Sequence, residues 1–325
     1  MPVALSLLDL AFIRPGGTAA ESLAHSVELA RTAESAGYGR VWYAEHHGMP
    51  TIASSAPAVV IAHVAAHTSS IRLGAGGVML PHHSPLVVAE QFGTLAALHP
   101  GRIDLGLGRA PGGERAVYAA LRRTPDASDR FPQDVVELQG LLAGDSRPDG
   151  LTATPGAHSR VPLYILGSSL FGAQLAAQLG LPFAFASHFA PQALEQAVAL
   201  YRGTYTPSEA HPEPYVIAGI NVVAAEDEAD AVAEFEAARR YRVRSLLARG
   251  PAARDYSDAE IDAFLTTEQG AGIAAMMSKA AVGTPEQVRA GLEEFAAAAR
   301  ADELITVHPS LEPESRLRSV RLAGV

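Results

Sequence analysis

Short apolar runs alternate with longer amphipathic segments eight times along this chain. The apolar runs are Leu5–Leu8, Val41–Ala44, Ile71–Leu80, Arg102–Leu107, Leu163–Leu166, Phe183–Ala186, Val216–Ala224 and Glu303–Val307. Strands alternating with helices predict a parallel sheet, because each helical crossover returns the chain to the end of the sheet where the previous strand began. Their near-continuous apolar character fits strands buried on both faces. Eight is the number that closes such a sheet on itself, so the pattern predicts a (β/α)8 TIM barrel. The rival is an open doubly wound sheet, which carries a Gly-x-Gly-x-x-Gly turn after its first strand. Here that strand is followed by Phe12-Ile-Arg-Pro-Gly-Gly17.

Helix boundaries are written locally. Thr18-Ala-Ala-Glu21 and Thr284-Pro-Glu-Gln287 are capping boxes, and Ser84-Pro85 sets an N-cap before a proline in the first turn. Helices are predicted over Ala56–His67, Pro132–Leu142, Pro191–Tyr201 and Glu228–Leu247. Gly250–Ala281 reads as irregular and too long for an ordinary connection, so it is expected to be a mobile lid inserted before the last helix–strand unit. No second domain is discernible, and residues 1–325 read as one barrel.

Composition narrows the function. The 325-residue chain has a net charge of −10 and no basic cluster beyond pairs such as Arg122-Arg123. Nucleic acid and anionic membrane surfaces are therefore unfavourable partners. It contains no cysteine, which removes disulfides and thiolate chemistry. With no basic-then-apolar leader and no bilayer-length apolar stretch, a cytoplasmic protein is expected.

A barrel gathers its chemistry just after the strands. Glu45-His46-His47 follows the second strand; the imidazoles suit proton transfer near neutral pH, or are simply a solvated pair. Zinc would need further ligands, for which His82-His83 after the third strand are available. No Asp/Glu-rich cluster accompanies them, so no metal is expected. The third strand, Leu73-Gly-Ala-Gly-Gly77-Val-Met-Leu80, places glycines where a flat ring could lie on the backbone, or where a bulge or small-residue layer is needed. Arg109 in Gly106-Leu-Gly-Arg-Ala-Pro-Gly-Gly113 could grip a phosphate, or pair with Asp104 or Glu114. Gly167-Ser168-Ser169 opens a helix, where anion binding and plain N-capping are both served. His188 after the sixth strand faces the rim or the surface.

Taken together, Val41-Trp-Tyr-Ala-Glu-His-His47, Ile71-Arg-Leu-Gly-Ala-Gly-Gly-Val-Met-Leu-Pro81, Ala89-Glu-Gln91 and Gly101-Arg-Ile-Asp-Leu-Gly-Leu-Gly-Arg109 resemble the bacterial luciferase-like flavin monooxygenases. The likeness runs to about Pro191, with a weaker echo at Val282-Gly-Thr-Pro285 and Ala301-Asp-Glu303. It implies a barrel that takes reduced FMN from a separate flavin reductase and uses O2, through a flavin C4a-peroxide, to oxidise a small organic substrate. By the same resemblance His46 is the catalytic imidazole and Glu45 touches the flavin ring. Gly76-Gly77 match a non-proline cis peptide beneath the ring. Arg109 matches an arginine at the flavin or its phosphate, and Ser168 and Ser169 match the phosphate-binding turn; Gly167 beside them and His188 across the same rim complete the expected cofactor-binding set. It also implies a homodimer packed through the second and third helices.

Light-emitting members carry a reactive cysteine just before the arginine. Gly108 stands there, so light emission is not expected. Two alternatives remain on the same barrel, a deazaflavin (F420)-dependent dehydrogenase and a non-catalytic flavin-binding protein. A metal-dependent hydrolase using His46, His47, His82 and His83 is the alternative from another class.

Overall fold

The computed structural model describes residues 3–109, 115–145, 150–247 and 254–324. The strands are β1 (Ala4–Asp9), β2 (Arg40–Tyr43), β3 (Arg72–Met79), β4 (Ile103–Gly108), β5 (Leu163–Gly167), β6 (Phe183–Phe185), β7 (Val216–Ala224), β8 (Ala280–Gly283) and β9 (Glu303–Val307). All pairings between them are parallel. β1 to β7 pair in sequence, and β9 joins β7 back to β1, closing an eight-stranded TIM barrel. β8 stands outside that ring. β7 runs past the rim, and its last residues, Asn221–Ala224, pair with Ala280–Gly283.

The helices are α1 (Ala19–Ser35), α2 (Pro57–Ala65), α3 (Pro85–Leu98), α4 (Arg115–Ala120), α5 (Phe131–Ala143), α6 (Leu170–Leu179), α7 (Leu194–Thr204), α8 (Glu228–Leu247), α9 (Asp258–Leu265), α10 (Glu268–Ala275), α11 (Pro285–Ala299) and α12 (Pro313–Ala323). The Thr18 and Thr284 capping boxes form as expected. The expectation of an irregular stretch over Gly250–Ala281 is corrected. Beyond residues 250–253, which lie outside the described set, it folds into α9, α10 and the start of β8. A capping box, Ser257 with Glu260, starts α9, and its Ser-x-x-Glu signature is visible in the sequence.

Period-2 alternation decides which side chains enter the barrel. Leu8, Trp42, Ala44, Tyr164, Ala184, Ile217 and Ile305 form an inner apolar cluster. The opposite faces, including Leu7, Val41, Tyr43 and Leu73, pack outward against the helices. Inside, β3 and β4 approach closely. A Cβ on Gly77 would lie 2.7 Å from the Gly106 carbonyl oxygen, and one on Gly76 would lie 2.8 Å from Trp42 Cβ. The register between these strands shifts between Ala75 and Val78, so the glycine run serves a bulge and a small-residue layer. The Gly76–Gly77 peptide is cis.

A buried ion cluster shuts the N-terminal end. Arg40 Nη1 donates to Asp104 Oδ2 at 2.9 Å and to the Tyr164 hydroxyl at 2.7 Å, and Nη2 donates to Glu303 at 3.1 Å. Tyr215 donates to the same Glu303 oxygen at 2.7 Å, and Trp42 Nε1 donates to Asp104 at 3.2 Å. Burial disfavours the Arg40 charge, but Glu303 and Asp104 beside it outweigh that and raise its pKa. The open end is the other one.

Candidate active site

At the C-terminal end lies a cavity of about 390 Å³. Its floor is the inner apolar layer, with Leu8, Trp42, Ala44, Gly76, Leu166, Ala184 and Ile305 in the wall. Its roof includes Tyr241, Arg242 and Ser245 from α8, and Met277 just after α10. Volume and apolar lining both fit a small-molecule site. Few polar groups converge on it: His46, His188, Asn221 and His308 from strand ends and rim, with Asp9, Arg242 and Arg316.

Each polar group is fixed by its neighbours. His46 sits in the loop after β2, held where its N–H donates to the Ser54 carbonyl at 3.0 Å. Ser54 Oγ in turn donates to the Ala44 carbonyl at 2.5 Å, closing the loop on itself. His188 follows β6. Its ring fills the space where a side chain on Gly219 would stand, and its carbonyl accepts from Asn221 Nδ2 at 2.8 Å. Burial, with the nearby Arg242 charge, lowers its pKa to about 3, so this imidazole is neutral at physiological pH. His308, at the end of β9, is likewise lowered to about 3 by burial and by Arg316. It is pinned by Ser319 Oγ at 2.7 Å and Thr306 Oγ1 at 3.1 Å.

The expected site residues divide. His46, Gly76 and His188 line the cavity. Glu45, expected at the flavin ring, does not: its buried carboxylate takes hydrogen bonds from His47 Nε2 at 2.8 Å, His83 Nε2 at 2.7 Å and the Met79 N–H at 3.1 Å. Burial alone would raise its pKa; those donors, His83 foremost, hold it below the ordinary carboxylate value. Gly77 faces β4 rather than the cavity wall.

Arg109, Gly167, Ser168 and Ser169 also lie outside the wall, but they cluster. The Arg109 guanidinium lies over Phe171, in the first turn of α6. Ser169 is the N-cap of α6, yet its hydroxyl makes no capping bond, and both serines are exposed. The first N–H groups of α6 therefore take no side-chain cap. Pairing of Arg109 with Asp104 does not occur, since Asp104 lies at the far end of β4 with Arg40, Arg72 and Trp42. Glu114 lies outside the described residues.

Sequence reasoning missed His308, Asp9, Asn221, Arg242 and Arg316. Asp9 ends β1 and His308 directly follows β9, where the search already made after the other strands would have found them. Asn221 is a polar residue within an otherwise apolar run. Arg242 and Arg316 come from helices and carry no local signal.

The model of the luciferase-like monooxygenase family matches residues 3–303. A luciferase-like monooxygenase of Escherichia coli K12 is 46% identical over 324 residues, covering 99% of this chain and 96% of the relative. The crystal structure of apo-MsnO8 superposes with a TM-score of 0.88 at 39% identity, covering 98% of this chain and 97% of that one. The fold extends to the oxygenating constituent of 3,6-diketocamphane monooxygenase from Pseudomonas putida, solved with FMN. That structure has a TM-score of 0.72 at 17% identity and covers 100% of this chain and 97% of its own. The chain belongs to the luciferase-like monooxygenase family. Its match extends well beyond Pro191, where the recognisable motifs thin out.

Proposed function

We propose that this chain is the oxygenase of a two-component system, using reduced FMN and O2 to oxidise a small organic substrate. The observation that carries the reading is the largely apolar cavity over the inner barrel layer, with His46 and the neutral His188 in its wall. The residues present fit a flavin. A flat apolar ring suits the floor of Leu8, Trp42, Gly76 and Ile305, and a terminal phosphate suits Arg109 with the α6 N-terminus at Ser168 and Ser169.

Reduced FMN, when bound, supplies the electrons that activate O2. Everything else falls to the chain. His46 moves a proton between the reacting centre and the rim. His188 donates or accepts a hydrogen bond without adding charge. Glu45 acts on the loop that carries His46, through His47 and His83, rather than on the ring. α8 with α9 and α10 form the lid that keeps water out. Arg240–Asp262 at 2.7 Å and the Arg244–Asp258 pair tie that lid together. Electrons come from a separate flavin reductase, and the chain works as a cytoplasmic homodimer through α2 and α3.

Anaerobic titration with reduced FMN tests the reading, followed by O2 uptake with candidate substrates. Binding of FMN with substrate-linked O2 uptake is expected. Tight binding of a deazaflavin with no response to FMN would overturn it in favour of hydride transfer. FMN binding without any substrate-linked uptake would leave only a flavin-binding protein.

A further inference from the structure

Outside the cavity wall, Glu45, His47 and His83 bring one carboxylate oxygen and two imidazole nitrogens to within 4.8 Å of one another. We propose that these three side chains form a binding site for a divalent transition-metal ion of the zinc class. The sequence argued against a metal because no acidic cluster accompanies the histidines. The fold changes that, since β2 and the turn after β3 deliver Glu45 between two imidazoles that are 36 positions apart in the chain.

Three observations support the assignment. The donor set is two imidazoles and a carboxylate, which suits Zn2+, Co2+ or Ni2+ and ill suits Mg2+ or Ca2+. The geometry is near the required one. Tetrahedral zinc with bonds near 2.0–2.1 Å places its ligand atoms about 3.3 Å apart, whereas Glu45 Oε1 lies 2.8 Å from His47 Nε2 and 2.7 Å from His83 Nε2. Each imidazole therefore needs to move outward by roughly 0.5 Å for the ion to replace two hydrogen bonds. Both rings are free to do so, because their side chains remain 21% and 30% exposed, and that exposure is also the route of entry.

The third observation is His82. It is buried, its ring lies edge-on to His47 with centroids 5.8 Å apart, and neither ring nitrogen has a hydrogen-bond partner among the described residues. Buried polar atoms without partners ask for an explanation, and a water bound to an ion on His47 would give the His82 ring the partner it lacks. The second oxygen of Glu45 is already oriented by the Met79 N–H, as ligating carboxylates usually are.

The consequence is local. Met49, Thr51 and Ile52 of the cavity wall and His46 itself belong to the loop that leaves β2 at Glu45. An ion held by Glu45 and His47 would clamp the start of that loop.

The test uses the whole chain, stripped with chelator and without flavin, so it stands or falls independently of the oxygenase reading. Co2+ is titrated while the visible d–d absorption is followed, and Zn2+ then competes. One ion per chain is expected, displaced by Zn2+, with affinity reduced by about tenfold or more in H47A and in H83A. The double variant H63A/H67A removes the exposed imidazole pair on α2 and should bind as tightly as the parent. No absorption change, unaltered affinity in H47A and H83A, or loss of binding in H63A/H67A would overturn the proposal. If H47A or H83A fails to fold, E45Q carries the test, since the amide keeps the shape and removes the anionic ligand.

Discussion

The guanidinium carbon of Arg109 lies 4.2 Å from the centre of the Phe171 ring, which fixes a cation beside the start of α6. Ser168 and Ser169 stand at the same place with their hydroxyls exposed. If this corner grips the cofactor through its phosphate, Arg109→Ala should weaken FMN by about 10-fold or more, the worth of a charge-assisted hydrogen bond. Riboflavin, which lacks the phosphate, should bind parent and variant alike. Fluorescence or absorbance titration of the two flavins side by side makes the comparison, and an equal loss for both would remove the phosphate assignment.

His46→Ala separates binding from chemistry. The backbone bond that holds this loop, His46 N–H to Ser54, survives the substitution, so FMN affinity should change little. Turnover should fall by about 10²- to 10⁴-fold, the usual worth of a positioned proton carrier. Substrate-dependent O2 uptake at saturating flavin reads it. Turnover that survives intact would take His46 out of the chemistry.

Stability should drop steeply on mild acidification. His188 and His308 are each held near a pKa of about 3 by burial, against an ordinary value of 6.5. The unfolded chain takes up these protons as pH falls below about 6.5, and the folded chain refuses them down to about 3. Folding free energy is therefore fully retained above pH 6.5 and lost between those limits, at up to about 1.4 kcal/mol per pH unit for each histidine. Urea midpoints between pH 7 and pH 5 should show a shallower fall in His188→Gln than in the parent.

The sealed end of the barrel gives a prediction about stability rather than catalysis. Arg40 bridges Asp104 and Glu303, and both carboxylates are buried. Arg40→Met keeps the apolar stem, leaves buried Glu303 without its cation and leaves Asp104 with Arg72 alone. Removing one partner from a buried ion pair costs about 3–5 kcal/mol. A fall of that size in urea-unfolding free energy at pH 7 is expected.

The strands were legible because each is a nearly unbroken apolar run, and burial on both faces demands that. β7, for instance, is buried at every one of its nine positions. The rim residues His46, Gly76 and His188 could be found because the fold itself dictates where to look. Glu45 was placed in the right loop, but sequence could not say which way its carboxylate turns; that depends on His83, which comes from another strand end. Arg242 and Arg316 escaped for a related reason. They reach the cavity from α8 and α12, and helical periodicity shows only that a residue faces inward, not what it meets there. β8 was invisible because Ala280–Gly283 is short and pairs only with the overhang of β7.

That overhang separates the roof from the ring. The excursion holding α8, α9 and α10 leaves from the end of β7 and returns as β8 to lie against those same last residues, Asn221–Ala224. Both feet of the insert stand on one spot, so its length can grow or shrink without altering how the ring closes, and lengthening such a closed loop costs little chain entropy. The helices that roof the cavity are thereby mechanically separate from the ring that closes beneath them, so a change in their length leaves the barrel's own pairings in place.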